Sequence, residues 1–152
     1  MEIISYRPEY QKEFKDLNIE WLEKFFYVEP MDEEVLGNPQ EYILDRGGMI
    51  FFAREADEIL GTAALMKMED DVYEFTKMAV RPRAQGKGIG QLLMEHTIDY
   101  SRKQNWKELI IYTNSSLVNA MHIYKKYGFV EIPIEPDNPY DRGDVKMRLQ
   151  LS

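Results

Sequence analysis

Three strand-like runs follow one another with almost nothing between them. They are Met49 to Arg54, Ile59 to Met68 and Val72 to Val80, with the turn signals Ala56-Asp57-Glu58 and Glu69-Asp70-Asp71 between them. Connections this short leave no room for a crossover helix, so the runs must pair as an antiparallel meander. The third run leads directly into Arg83-Ala84-Gln85-Gly86-Lys87-Gly88-Ile89-Gly90 and then into a helical pattern. Whatever the chain folds into must contain this meander, with a glycine-rich loop and a helix at its end.

The remaining elements follow from periodicity and punctuation. Ile3 to Tyr6 is a short strand ended by Arg7-Pro8. From Glu9 to about Val28, Phe14, Leu17, Trp21 and Phe25 recur at helical spacing, and Pro30 is expected to close that helix. Asn38-Pro39-Gln40-Glu41 has the form of a second helix start, ended by Gly47-Gly48. After the glycine loop, Ile89, Leu92, Leu93, His96 and Tyr100 mark a helix ending near Asn105. Leu109 to Thr113 is a strand of buried type. Leu117, Ala120, Met121 and Tyr124 mark another helix, stopped at Gly128. Phe129 to Ile134 and Val145 to Leu151 are two more strands, joined by Glu135-Pro136-Asp137-Asn138-Pro139. The order β-α-α-β-β-β-α-β-α-β-β describes one mixed α/β (α+β) domain over residues 1–152, with no repeat or linker inside it.

At 152 residues the chain can bury one core, and with 30% charged residues its composition is that of an ordered globular protein. It contains no cysteine, which excludes disulfides, thiolate metal sites and cysteine nucleophiles. No apolar run approaches the ~20 residues of a membrane span, and Met1 to Tyr6 lacks the pattern of a secretory leader. The expectation is a cytoplasmic protein without a membrane partner. A net charge of -8 disfavours general nucleic-acid binding and would attract small cations.

Against that acidity one stretch stands apart. From Phe75 to Met94 there is no acidic residue, while Lys77, Arg81, Arg83 and Lys87 contribute four positive charges. Three alternate glycines, Gly86, Gly88 and Gly90, fall at a helix start. Backbone N–H groups in such a loop can close around a pyrophosphate, with the positive end of the helix dipole behind them. The loop is not of the G-x-x-x-x-G-K-[ST] type, because Gly88 follows Lys87 where Ser or Thr is required. It is a poor dinucleotide fingerprint as well, since Gln91 or Leu93 falls at the third glycine. Taken alone, the glycines also fit a tight turn that binds nothing.

Gln85-x-x-Gly88-x-Gly90, preceded by Met78-Ala79-Val80-x-Pro82 and followed by Leu92-Leu93, resembles the acyl-CoA-binding motif of the GNAT acyltransferase superfamily. Ala120-x-x-Ile123-Tyr124-x-Lys126-x-Gly128-Phe129 is similar to that family's second motif. The resemblance covers essentially the whole chain. It implies a mixed, mostly antiparallel sheet with splayed central strands, flanked by helices, and acetyl-CoA wedged between Val72 to Val80 and Leu109 to Thr113. Met78, Ala79 and Val80 would hold the pantetheine arm. N–H groups from Gln85 through Gly86, Lys87, Gly88 and Ile89 to Gly90 would hold the pyrophosphate, with Arg81, Arg83 and Lys87 beside it. Many members carry an Asn seven residues before the second-motif Tyr, where this chain has Leu117. Asn114, Ser116 and Asn119 are the candidates to replace it, and Lys126 belongs to the same motif. Homodimers are common in the family.

An amine is mostly ammonium at neutral pH and has no lone pair until a base removes its proton. The resemblance implies Glu74 for that role and Tyr124 as the acid that protonates the departing thiolate. If Thr76, Met78 and Val80 share one strand face, Glu74 shares it too. Trp21, Phe25, Phe26 and Tyr27, followed by Glu29, Asp32, Glu33 and Glu34, fall where such folds build an acceptor pocket, and aromatics beside carboxylates would suit a cationic amine. A core helix with a solvated acidic end fits the same residues. His96 and His122 lie on separate helices without a carboxylate cluster, so no metal site is expected. The expected activity is acetyl transfer from acetyl-CoA to a primary amine of a small molecule or peptide by direct attack. The alternative is a non-catalytic CoA-binding or sensor module of the same fold.

Overall fold

A computed structural model describes residues 1–151 of the chain. Seven strands form one sheet in the order β1-β2-β3-β4-β5-β7-β6. These are β1 (Glu2–Ser5), β2 (Met49–Glu55), β3 (Glu58–Glu69), β4 (Val72–Val80), β5 (Glu108–Thr113), β6 (Val130–Ile132) and β7 (Val145–Gln150). Every neighbouring pair is antiparallel except β4 and β5. The meander of β2, β3 and β4 is therefore as the short connections require.

Helices cover both faces. On one, α3 (Ile89–Lys103) sets Leu93, Met94 and Ile98 against Phe51, Leu65 and Leu109 of the sheet. The same face takes Met121 and Tyr124 of α4 (Val118–Lys126). On the other, Phe14, Leu17 and Leu22 of α1 (Gln11–Phe25) and Val35 and Leu36 of α2 (Pro30–Gly37) pack on Ile50, Phe52 and Ala64. Strand β3 is buried from Ile59 to Leu65 because it lies between these two cores.

One boundary differs from the sequence expectation. Pro30 does not close α1, which already ends at Phe25; it opens α2 as its first residue. A proline lacks the N–H that a first-turn residue could not use, so it suits that place. Glu29 caps the helix, and its own N–H donates to Asp32 Oδ2 at 3.0 Å in a capping box. Asn38 in turn finishes α2, its side-chain amide donating to the Glu34 carbonyl at 3.0 Å. The segment that follows is a short π-helical stretch over Gln40–Leu44, not a full helix.

The site depends on how β4 leaves β5. Their parallel pairing covers only Val72, Tyr73 and Glu74, opposite Glu108, Leu109 and Ile110. Below that register the strands are pinned. Tyr73 stacks on Trp106 with ring centroids 3.5 Å apart and planes 9° from parallel. Lys107 N–H also donates to the Asp71 carbonyl at 2.8 Å. Above it they diverge, and a gap opens through the sheet.

Candidate functional site

The gap holds a cavity of about 90 Å3. Thr76, Lys77 and Met78 of β4 form one side and Ile111 and Thr113 of β5 the other. Trp21 and Leu22 of α1 close one mouth, and Tyr124 of α4 stands at the opposite one. Tyr140 and Arg142 reach in from the loop between β6 and β7. A wider groove of about 440 Å3 adjoins it, sharing Trp21, Met78 and Leu117 as walls and running past Val80, Gln85 and Asn119.

Strand β4 is not regular through this region. Ala64 pairs with Thr76 and Thr62 with Ala79, so Lys77 and Met78 together oppose Ala63. Lys77 takes the extra position with φ of 55°, a left-handed conformation uncommon for a side chain of this kind. The bulge reverses the alternation of faces. Tyr73 and Phe75 contribute to the α3 core, and beyond the bulge it is Met78 and Val80 that pack there, while Ala79 joins the α1 core. Glu74 therefore does not share a face with Met78 and Val80, contrary to the expectation from strict alternation.

Glu74 is 8% exposed. The Tyr140 hydroxyl donates to its Oε2 at 2.7 Å and lies 3.4 Å from the Thr76 hydroxyl. Burial pushes the Glu74 carboxyl above its ordinary range, while Lys77, Tyr140, Thr76 and Arg142 act in the other direction. Burial, reinforced by the Glu74 charge, holds the Tyr140 hydroxyl well above the ordinary phenol range. The proton between them belongs to tyrosine. Glu74 does not itself line the cavity; Tyr140 does.

Behind Tyr140 lies a buried ionic cluster. Lys77 Nζ donates to Asp32 Oδ1 at 2.9 Å, and Arg142 Nη1 and Nη2 donate to Asp32 at 2.7 and 3.1 Å. Arg142 Nη1 also donates to Glu29 Oε2 at 2.7 Å, and the Asp141 N–H donates to Glu29 Oε1 at 3.0 Å. Burial works against ionisation of Asp32, but its Arg142 and Lys77 partners and the Glu29 N–H lower its pKa to about 2. Arg142 and Lys77 both pack on the Tyr140 ring, 4.7 and 5.1 Å from its centroid.

The Tyr124 hydroxyl makes no hydrogen bond among the described residues, and burial pushes its pKa up to about 12. The glycine loop is shaped to receive an anion. Gly86 and Gly88 have φ of 81° and 79°, and a side chain there would meet open space, so backbone strain rather than crowding reserves these positions for glycine. Gly88 caps α3 without a side-chain hydrogen bond, and no acidic residue stands in the first turn. The first-turn N–H groups are left for a ligand. Of the basic residues, Arg81 donates to the Ile59 carbonyl at 2.6 Å, Arg83 pairs with Glu58, and exposed Lys87 has no protein partner among the described residues. Gln85 bonds the Val80 carbonyl at 3.2 Å and Lys126 bonds Gln91 at 3.2 Å.

The other sequence candidates are spread out. Trp21 lines both cavities and Phe25 only the groove. Tyr27 is exposed and donates to Asp141 at 3.3 Å. Glu29 is buried in the ionic cluster and lines neither cavity. Asn114 closes a turn, bonding the Arg142 carbonyl at 2.7 Å and the Ser116 N–H at 2.8 Å; Asn119 lines the groove. His96 packs edge-on to Phe51 at 4.7 Å, and the described residues hold no cluster of three possible metal ligands. No helix among them is long and apolar enough to cross a membrane. Sequence reasoning missed Tyr140 and Arg142 as parts of the site; it placed Lys77 only among the basic residues of the acid-free stretch, and Asp32 only among the acidic residues at the end of the acceptor segment. The one available signal was the length of the β6–β7 connection, residues 133–144, since long loops in compact folds tend to carry function.

Residues 5–129 match the family model described as the acetyltransferase (GNAT) family. An uncharacterized N-acetyltransferase of Schizosaccharomyces pombe is 28% identical over 149 residues, covering 95% of this chain and 91% of that protein. A GNAT-family acetyltransferase structure from Staphylococcus aureus superposes with a TM-score of 0.88 at 22% identity, covering 99% of both chains. A putative acetyltransferase from Salmonella typhimurium, solved with acetyl-CoA, gives 0.79 at 18% identity, covering all of this chain and 94% of that one.

Proposed function

Because the chain belongs to the GNAT acetyltransferase family, and is an acyltransferase by that membership, we propose that it moves acetyl from acetyl-CoA directly to a primary amine. One observation carries this reading. The cavity brings Tyr124, with its unpaired hydroxyl, and Tyr140, which donates to Glu74 outside the lining, onto the walls of the same space, next to the groove leading to the glycine loop.

The residues fit the cofactor. The N–H groups from Gln85 to Gly90, with Lys87 nearby, would hold the pyrophosphate. The free edge of β4 from Met78 to Val80 would hold the pantetheine arm, and Asn119 faces the same groove. Bound there, acetyl-CoA supplies a thioester activated toward attack by an amine.

The chain's own groups handle the protons. The acceptor arrives as ammonium and loses a proton to Tyr140 Oη while Tyr140 passes its own proton to Glu74 Oε2. This frees the nitrogen lone pair without moving net charge into the cavity. A carboxyl raised by burial is a better base than an exposed one, which suits Glu74 to the end of this relay. Tyr124 keeps its proton to high pH and donates it to the sulfur that leaves.

The test is acetyl-CoA consumption against a panel of primary amines, repeated with Tyr124→Phe. The variant should lower turnover on the order of 10²-fold while acetyl-CoA affinity stays level. Equal loss of both, or loss of neither, would remove the assigned acid, and no consumption with any amine would remove the activity.

A further inference from the structure

The acidic composition suggests a pocket for a cation, yet the charged groups that line the cavity are Lys77 and Arg142. None of the nearby carboxylates (Glu29, Asp32, Glu74 and Asp141) lines it. Asp32 is fully buried and Glu29 nearly so, and both lie behind the two cations.

A count of donors shows what the wall lacks. Arg142 has five N–H groups. Nη1 uses both of its own on Glu29 and Asp32, and Nη2 uses one on Asp32. The Nε–H and the second Nη2–H have no partner among the described residues. These two point side by side, in the spacing that a carboxylate accepts as a bidentate pair. Lys77 spends one of its three protons on Asp32. Buried Lys77 and part-buried Arg142 carry a cost for donors without acceptors, and their ring support on Tyr140 keeps them from turning away.

We propose that the acceptor is an amino acid or another small primary amine with a free carboxylate, which Arg142 and Lys77 bind while its amine meets the Tyr140 hydroxyl. The proposal rests on the cavity being the acceptor site. One aromatic ring carries both ends of the recognition: its face supports the cations and its hydroxyl takes the proton. A polyamine would bring a second cation to a wall that already presents two, and in a partly dry cavity that repulsion selects against it.

The test compares matched ligands binding to the CoA-loaded protein by calorimetry: alanine, alaninamide and ethylamine; phenylalanine, phenylalaninamide and phenethylamine; and spermidine. In at least one set the carboxylate form should bind roughly tenfold or more tightly than its amide. Arg142→Gln should abolish that preference. Arg142→Lys retains the charge opposite Asp32 but loses the planar fork, so it should stay folded and still lose most of it. Equal binding of acid and amide, tighter binding of spermidine, or no binding by any of them overturns the proposal. Turnover on the same ligands separates the two readings. Acetylation only of amines lacking a carboxylate defeats this inference and leaves the acetyltransferase reading. Carboxylate-selective binding without acetylation of any amine defeats the acetyltransferase reading and leaves only a carboxylate-binding site, with the acceptor role removed.

Discussion

Glu74 sits where burial opposes two cations and two hydroxyls, and burial wins, raising its proton affinity. The sign for stability follows. A folded-state pKa above the unfolded one favours folding fully at low pH, and that advantage is lost as pH rises through the folded value. Once ionised, the buried Glu74 is thus a burden on the fold, one that the proposed base role would account for. Glu74→Gln should therefore raise the melting temperature at pH 7 while lowering kcat on the order of 10²-fold or more. It should also remove the acid limb of the pH–rate profile, which in the natural protein lies above the ordinary glutamate range. A melting point unchanged or lowered at pH 7, with kcat intact, would contradict the base assignment. Tyr140 is the other half of this pair, yet it stands 66 positions away in the chain.

At the scale of elements, Asp32 ties three together: it closes the capping box of α2, accepts from Lys77 on β4 and accepts from Arg142 in the β6–β7 loop. Its pKa is depressed to about 2, so the stability it gives is present above an unfolded value of 3.8 and is lost as pH falls toward 2. Asp32→Asn leaves two buried cations short of a partner and should cost about 3–5 kcal/mol in urea unfolding. A loss within the error of the measurement would show that the cluster does not hold these elements together. Elements of this kind explain what the sequence could disclose. The meander, the glycine loop and Tyr124 carry their signals locally, in alternation, turn residues and a motif. Asp32–Lys77 and Tyr140–Glu74 are contacts between distant segments and leave no mark in any window of the chain. Pro30 was legible only as a breaker, whereas α1 has already ended at Phe25 and the proline starts the next helix. The bulge at Lys77 was hidden because a lysine, not a glycine, adopts the positive φ there.

Over the whole molecule the charge is uneven, -8 in total with four basic residues inside the acid-free stretch. Arg83 is exposed and already paired with Glu58, and such a pair adds little in water. Lys87 is then the exposed cation best placed to act on phosphates at the helix start. The dissociation constant for acetyl-CoA should rise between low and about 0.5 M salt, as screening shortens from ~10 Å at 0.1 M toward ~3 Å at 1 M. Lys87→Ala should weaken binding at low salt and flatten that dependence; an unchanged slope would exclude Lys87 from the contact. The reversal of parity in β4 has one more consequence. Even-numbered side chains before Lys77 and even-numbered ones after it face opposite sides of the sheet, although they belong to a single strand. The bulge sets Glu74 and Thr76 on the side of the sheet opposite Met78 and Val80, so a substitution at Thr76 need not disturb the edge proposed to hold the pantetheine arm.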